Sequence, residues 1–538
     1  MKKVTFIFVC LSFAILCQAR IITVDNDSTA DFNNIQAAIN DANDGDTIIV
    51  IPGTYKGSGN RDIDFRGKAI IVRSIDPNDP NIVAATVIDC NGTESDPHRG
   101  FYFHYDEESQ SVLEGLTITN GFGTEAVIDT FPQRVGGGIF CQTSNPTIRK
   151  CTVIGNTASF GGGICSDHCD PTIIDCTVED NSALFGGGIH CGTGHPTIVN
   201  CVVEHNYAEG YGYVEGYGGG IYLYRGWEAS IDNCTVVNNS AEAGGGIYYG
   251  DSTPTVSNCV INDNTARGKP LPGLYGYGGG IYGYRGGCLI RNCVIAGNKS
   301  QTGAGVFFRS GGVSYGGAAI IRNCTIYGNQ ADTGGRDIPS RGGGVSCGES
   351  CNVQIRNSIL WANSAELGAQ IALRAWWDIK ECNIEFSNVQ GGLSVIYIND
   401  CNLVWGTANI DADPCFADPG YRNTNGTPQD PNDDFWVDGD YHLKSQAGRW
   451  DANEGRWMID EVTSLCIDAG DPASPIGLEP FPNGGIINMG AYGGTAEASK
   501  SYFGQPVCET IVAGDINGDC KVDFKDFALM AYHWLEEY

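Results

Sequence analysis

Aromatic residues with an arginine beside them recur along this chain, in "IYLYRGW" from Ile221, "IYGYRGG" from Ile281, "VFFRSGG" from Val306 and "IALRAWW" from Ile371. A fifth phrase, "IYYG" from Ile247, keeps the rings and lacks the arginine. Aromatic faces stack on sugar rings, and a guanidinium grips a carboxylate or sulfate through parallel hydrogen bonds. The candidate carbohydrate-binding residues are therefore Arg225, Arg285, Arg309 and Arg374, with Tyr224, Trp227, Tyr284, Phe308 and Trp376 beside them. Two insertions add Tyr207, Tyr211, Tyr213, Tyr217, Tyr275 and Tyr277. The ligand such a set selects is an acidic polysaccharide. In an elimination, one cation would neutralise a uronate while a basic Arg or Lys removes the α-proton. Outward tyrosine ladders are also ordinary sheet decoration, so the stripe by itself assigns no catalytic residue.

The tail carries the second chemical pattern. "DINGDCKVDFKD" puts Asp515, Asn517, Asp519, Asp523 and Asp526 at positions 1, 3, 5, 9 and 12, with the carbonyl of Lys521 at position 7. Hard oxygen donors at that spacing wrap a Ca²⁺. Phe524, Phe527, Ala528, Trp534 and Leu535 then recur at helical spacing. This resembles one calcium-loop-and-helix repeat of a dockerin, which implies Ca²⁺ as the cofactor and a cohesin-like or envelope partner for the tail. Cys520 stands where that family has glycine, and no second repeat follows before Tyr538, so high-affinity cohesin docking does not carry over. A sorting or anchoring tag that folds around calcium is the alternative.

What positions the stripe is a repeat. Cys151, Cys176, Cys201, Cys234, Cys259, Cys293 and Cys324 each have Val or Ile two residues on and asparagine five on. The asparagines are Asn156, Asn181, Asn206, Asn239, Asn264, Asn298 and Asn329, and an eighth copy puts Ser358 in the cysteine slot and keeps Asn363. Glycine runs follow at Gly161, Gly186, Gly244, Gly303 and Gly342. A period near 25 that stretches to 33 or 34 marks a fixed coil with insertions at one loop. The spacing also matches a leucine-rich repeat, but triple glycine on the return path is costly in a helix. Short Val, Ile and Thr runs between glycine and asparagine bends instead read as strands. The expected fold is all-β, a parallel β-helix with Cys and Val pointing inward and stacked asparagines at one bend.

These phrases resemble the repeats of bacterial right-handed parallel β-helix proteins of the pectin-lyase-like superfamily, and the GGAI/FxxN repeats of polymorphic outer-membrane proteins. "FNNIQAAINDANDGDTIIVIPGTY", Phe32 to Tyr55, looks like that superfamily's opening, in which a short helix (Asn34 to Ala42 here) caps the open end of the solenoid. "NIDADPCFAD", "DYHL", "CIDAGDP" and "INMGAYGGT" resemble its closing segment. The organisation expected is a leader at 1–19, cap and first coils at 20–130, repeat solenoid at 131–405, closing segment at 406–500 and calcium tail at 501–538. If the protein is an enzyme, the resemblance implies a polysaccharide lyase or glycoside hydrolase. Yet "GHG", "RIK", "WIDH" and "RxPxxR" phrases are absent, and "GTYKG" has Gly57 where pectinesterases carry Glu. A non-catalytic adhesin or structural envelope protein therefore stays open beside the enzyme.

Charge and cysteine narrow the setting. A net charge of −31, from 32 basic and 63 acidic residues, argues against nucleic acid and anionic membranes as partners. "MKK" and the apolar run Val4 to Cys17 form a secretory signal with cleavage expected after Ala19, and no later apolar run is long enough to span a bilayer. The expected location is outside the cell or on its surface. Of 23 cysteines, Cys10 and Cys17 lie in the leader, which leaves 21. Ladder cysteines in neighbouring coils stand about 4.8 Å apart, beyond the Cβ separation of about 3.8 Å that suits a bridge. They are expected to be buried thiols, and the disulfide candidates are Cys165 with Cys169, Cys347 with Cys351, and Cys508 with Cys520.

Overall fold

Each three-residue run such as Thr172–Ile174 alternates polar, apolar and polar or half-buried positions, so it buries one side chain and exposes its neighbours. Such a run is too short to stand alone and persists only by pairing with its copies above and below. In the computed structural model the chain from Ile21 to Trp405 does this, winding as a right-handed parallel β-helix. The structure describes residues 19–27, 30–128, 131–226, 228–269, 271, 274–309, 318–333, 338–349, 352–374, 381–427, 434–504, 514, 516 and 522–534.

The described residues form three long parallel walls. Sheet A has 14 strands from Ile21–Val24 to Asn402–Trp405, sheet B has 12 from Gly53–Lys56 to Asn388–Val389, and sheet C has 12 from Ile63–Asp64 to Tyr397–Asn399. A narrow sheet D of six two-residue strands, Ser182–Ala183 to Gln330–Ala331, fills the corner between B and C. Register is kept coil to coil, with Ile148, Ile173, Ile198, Ile231 and Val256 stacked in sheet A. Val153, Val178, Val203, Val236 and Ile261 stack in sheet B, and both columns are buried.

The repeat's special residues have the roles expected of them. Asn181 Nδ2 donates to Asn206 Oδ1 (3.0 Å) and to the Val153 carbonyl (2.8 Å), and its backbone N–H donates to the same Oδ1 (3.1 Å). The pattern repeats through Asn206, Asn239, Asn264, Asn298 and Asn329, so a column of buried amides is satisfied along the axis. Cys151, Cys176, Cys201, Cys234, Cys259, Cys293 and Cys324 are buried free thiols. Ser358 continues their column by accepting from the Cys324 N–H (3.2 Å). At the glycine corner Gly186 has φ +67°, and a Cβ on Gly187 would lie 2.5 Å from the carbonyls of Gly219 and Tyr207. Only glycine fits both places.

Helix α1 (Ile35–Asp41) plugs the first coil with Ile35, Ala38 and Ile39, and the Asn34 side chain caps it by accepting from the Ala37 N–H. A second short helix, α2 (Pro80–Ala85), rests on the strand Thr117–Thr119, where Thr117 donates to the Val83 carbonyl. The closing segment pairs antiparallel, Phe416–Asp418 with Asp440–Leu443 and Tyr421–Asn423 with Phe435–Val437. It lies on the outer face of sheet B, where Phe416, Tyr441, Leu443 and Met489 pack on Val294, Ala296, Ile359, Tyr327 and Trp361. In the tail, helix α3 spans Phe524–Trp534.

Two expectations are corrected. Cys165 and Cys169 form no bridge, because they sit on opposite faces of sheet C. Cys165 packs outside with Val135 and Phe140, while Cys169 lies in the core and donates to the carbonyls of Cys141 (3.2 Å) and Asp167 (3.1 Å). The stretched repeats also do not grow at one loop. Residues 209–216 and 267–276 precede the glycine corner, whereas 310–318 follow a sheet C strand. Cys347 is buried, and Cys351, Cys508 and Cys520 lie outside the described residues.

Candidate functional site

Sheet C strands of four residues, such as Ile221–Tyr224 and Val306–Arg309, send their second and fourth side chains outward. The second position builds a column of Tyr222, Tyr248, Tyr282 and Phe307 in register. Ring centroids follow at 4.8, 5.1 and 5.3 Å. The residues just before the glycine corners, Phe185, Tyr217 and Tyr277, lean over this column, and Tyr277 stacks on Phe307 at 4.9 Å. The result is an aromatic zipper outside the solenoid core that covers itself. Burial pushes the phenols of Tyr248 and Tyr282 above their ordinary range.

The fourth position carries the chemistry. Tyr284, Arg309, Gly348 and Arg374 occupy it in successive coils. Arg225 and Arg285 come one residue later, at φ +54° and +51°, and turn back over Tyr224 (4.9 Å) and Tyr284 (5.0 Å). The four arginines therefore split into two that cover their own tyrosines and two that stand on the wall. Between Arg309 and Arg374, Gly348 leaves the wall without a side chain. The gap opens into a cleft of about 260 Å³ lined by Tyr275, Tyr277, Phe307, Arg309, Arg341, Glu349 and Arg374.

Arg309 Nε donates to Glu349 Oε1 at 2.9 Å. Burial works against its charge, but Tyr282 and Glu349 outweigh burial and hold the guanidinium above its ordinary range. Burial pushes the Tyr277 phenol up to about 12. Arg341 occupies the slot before the glycine corner that holds Phe160, Phe185, Tyr217, Ala243, Tyr277 and Thr302 in earlier coils. Its Nε is buried with no hydrogen-bond partner among the described residues. Arg341 and Glu349 were missed because neither belongs to a phrase that joins an arginine to rings: Arg341 precedes its glycine corner with no aromatic neighbour, and Glu349 follows the ring-free strand Val345–Gly348. An arginine in a column of otherwise uncharged residues was the available signal.

Phe308 is a correction. Strand alternation puts it opposite Phe307, so it lies in the solenoid core, 3% exposed, where it cannot meet a sugar. Trp227 and Trp376 lie outside the described residues. So do Asp515, Asn517, Asp519 and Lys521 of the calcium loop. The two described members of that loop meet, since Asp526 Oδ2 accepts from the Asp523 N–H (2.8 Å) and Oδ1 from the Ile516 N–H (2.7 Å). Among the described residues no group of three or more His, Cys, Asp or Glu could hold a metal. None of the described helices is long and apolar enough to cross a membrane.

The cleft thus brings three guanidinium groups beside the part-exposed rings of Tyr275 and Tyr277 in a strongly acidic chain, a chemistry suited to anionic ring-shaped ligands. A family model for the right-handed β-helix region matches residues 21–218 and 187–388. Similar solved structures include pectate lyase Pel9A, at 17% identity over 88% of this chain and 96% of that one, with a TM-score of 0.41. The A-module of the Azotobacter vinelandii mannuronan C-5 epimerase AlgE4 is 15% identical over 70% and 95%, at 0.33. An alginate lyase from Paenibacillus sp. str. FPU-7 is 13% identical over 71% and 99%, at 0.26. No curated protein matches the chain.

Proposed function

The chain belongs to the right-handed β-helix family, and on that frame we propose an exported protein that binds an acidic polysaccharide in the arginine cleft of sheet C. The observation that carries this reading is that Arg309, Arg341 and Arg374 line one cleft with the part-exposed rings of Tyr275 and Tyr277. Guanidinium groups fit carboxylate or sulfate geometry, and the ring faces take the apolar side of a sugar. Arg341 is the strongest element, because a buried N–H without an acceptor is costly until a ligand supplies one.

Two groups of the cleft are poor candidates for the base of a lyase. A proton-abstracting group must be deprotonated near the working pH. Arg309 is held charged, and Tyr277 is pushed up to about 12, so neither serves as that base. A surface or adhesive protein that grips an acidic glycan matches this cleft, and the leader read from residues 1–19 supplies the export it requires.

For the tail, Asp515, Asn517, Asp519, the Lys521 carbonyl, Asp523 and Asp526 would hold Ca²⁺, and the fold of Asp526 back onto Ile516 and Asp523 fits such a loop. Calcium would supply charge neutralisation and local order. Phe524 and Phe527 are exposed on α3, a surface suited to a docking or sorting partner. Chelation is expected to speed proteolysis of the last thirty or so residues and to leave the solenoid intact. Equal cutting with and without chelator would sink the calcium reading.

The polysaccharide reading is tested by affinity electrophoresis against polygalacturonate, alginate and dextran sulfate, with the same mixtures assayed for unsaturated sugar ends. Retardation by at least one of them without new ends is expected. Free migration through all three at low salt would refute binding, and unsaturated ends would replace it with a lyase.

A further inference from the structure

On the other side of Gln301, which lines both, runs a second and wider trough of about 660 Å³. Its floor is the outward column of sheet D, where Ser240, Thr265, Lys299 and Gln330 follow in register. One wall bears Arg267, from the insertion before the glycine corner, and the other bears Asp434, from the closing segment.

Lys299 is the anomaly. It is half-buried, and its ammonium makes no hydrogen bond or ion pair among the described residues. Burial, then Arg422 and, more weakly, Arg267 push its pKa down, against Asp263 and Asp434. Asp263, which also lines the trough, is engaged by Arg422 (2.5 Å) and the Trp436 N–H (3.0 Å). Two guanidinium groups and two carboxylates act on it from around the trough, and none of them is its hydrogen-bond partner, a place that a bound anion would fill. Asp263, Asp332 and Asp434 line the same trough, so the place for an anionic group is confined to the level of Lys299 and Arg267. The hydroxyl and amide row along the floor, about 4.8 Å per coil, suits an extended saccharide lying along the axis.

We propose that the trough is a second saccharide subsite, which seats one carboxylate or sulfate between Lys299 and Arg267 while Ser240, Thr265 and Gln330 hydrogen-bond sugar hydroxyls. This rests on the acidic-polysaccharide reading and adds a site on the opposite side of Gln301 from the cleft.

The test is lysine-by-lysine labelling of the full chain with an amine-reactive reagent, read by mass spectrometry, alone and with polygalacturonate or dextran sulfate at saturation. Lys299 labelling is expected to slow at least about fivefold with one of them while Lys56 and Lys150 are unchanged. The polymer that protects distinguishes carboxylate from sulfate. Protection is expected to persist in Arg341→Ala, which weakens the cleft alone, and Lys299→Gln is expected to lose at least about threefold in affinity with an unchanged circular dichroism spectrum. Retention of polymer by the wild type with Lys299 labelling unaltered would overturn the trough and spare the cleft. Loss of protection in Arg341→Ala would overturn the trough as a separate subsite. No retention and no protection would overturn both.

Discussion

The outer faces of sheets B and C solve the same problem in opposite ways. Both carry apolar residues outside the solenoid core. On sheet C the aromatic side chains cover one another, Tyr222, Tyr248, Tyr282 and Phe307 beneath Phe185, Tyr217 and Tyr277, and no other segment is needed. On sheet B the outward residues change along the axis. The earlier coils mix Thr152 with Ile154, Thr177 with Glu179, Val202 with Glu204 and Thr235 with Val237, and the later ones carry Val294, Ala296, Tyr327, Ile359 and Trp361. Over that stretch the closing segment supplies the cover. A self-covered face keeps its edges open and can hold a ligand site, whereas a face roofed by another segment is structural. This difference places the arginine cleft where it is.

The comparison can be broken by truncation. Phe416→Ala should cost about 3–5 kcal/mol, since Phe416 is buried between Tyr327 and Tyr441 and the roof cannot close over the void. Tyr248→Ala on the zipper should cost less, about 2 kcal/mol, because neighbouring rings can lean into the gap. Urea unfolding followed by intrinsic fluorescence measures both, and equal costs would erase the distinction.

The roof is also expected to respond to pH where the zipper does not. Burial, above all, pushes Glu479 up from 4.5 to about 7, while its Oε1 accepts from the N–H groups of Asn488 and Gly494. Between those values the folded chain holds a proton that the unfolded chain has released, so stability falls as pH rises through the window. The loss should reach about 3 kcal/mol above pH 7. Glu479→Gln should flatten the profile measured by urea titration from pH 4 to 8. A smaller effect is expected at the cleft, where Glu349→Gln releases Arg309 and should tighten polyanion binding about threefold. Weaker binding by that variant would show that Glu349 itself contacts the sugar.

The interior of the solenoid was legible because each inward slot admits one kind of residue and the coil repeats the demand. A stacked carboxamide column needs asparagine, a corner at positive φ with a carbonyl close by needs glycine, and a narrow buried slot takes cysteine. The exterior was half legible. Arg309 and Arg374 reach the cleft, but Arg225 and Arg285 fall one residue late, at positive φ, and turn over their own tyrosines. Phe308 was misread because spacing was followed without strand alternation. The position of the closing segment depends on contacts more than a hundred residues apart, such as Asn262 with Asp438, which no local pattern encodes. The loss of glutamate after Glu204 and the arrival of Tyr327 and Trp361 on the outer face of sheet B were its trace.

Calorimetric titration of polygalacturonate, alginate and dextran sulfate into wild type and Arg309→Ala tests the central claim most directly. The cleft account expects binding of at least one polymer that weakens at least tenfold, about 1.4 kcal/mol, in Arg309→Ala, with the melting transition unmoved. Identical affinities for the two proteins would contradict it.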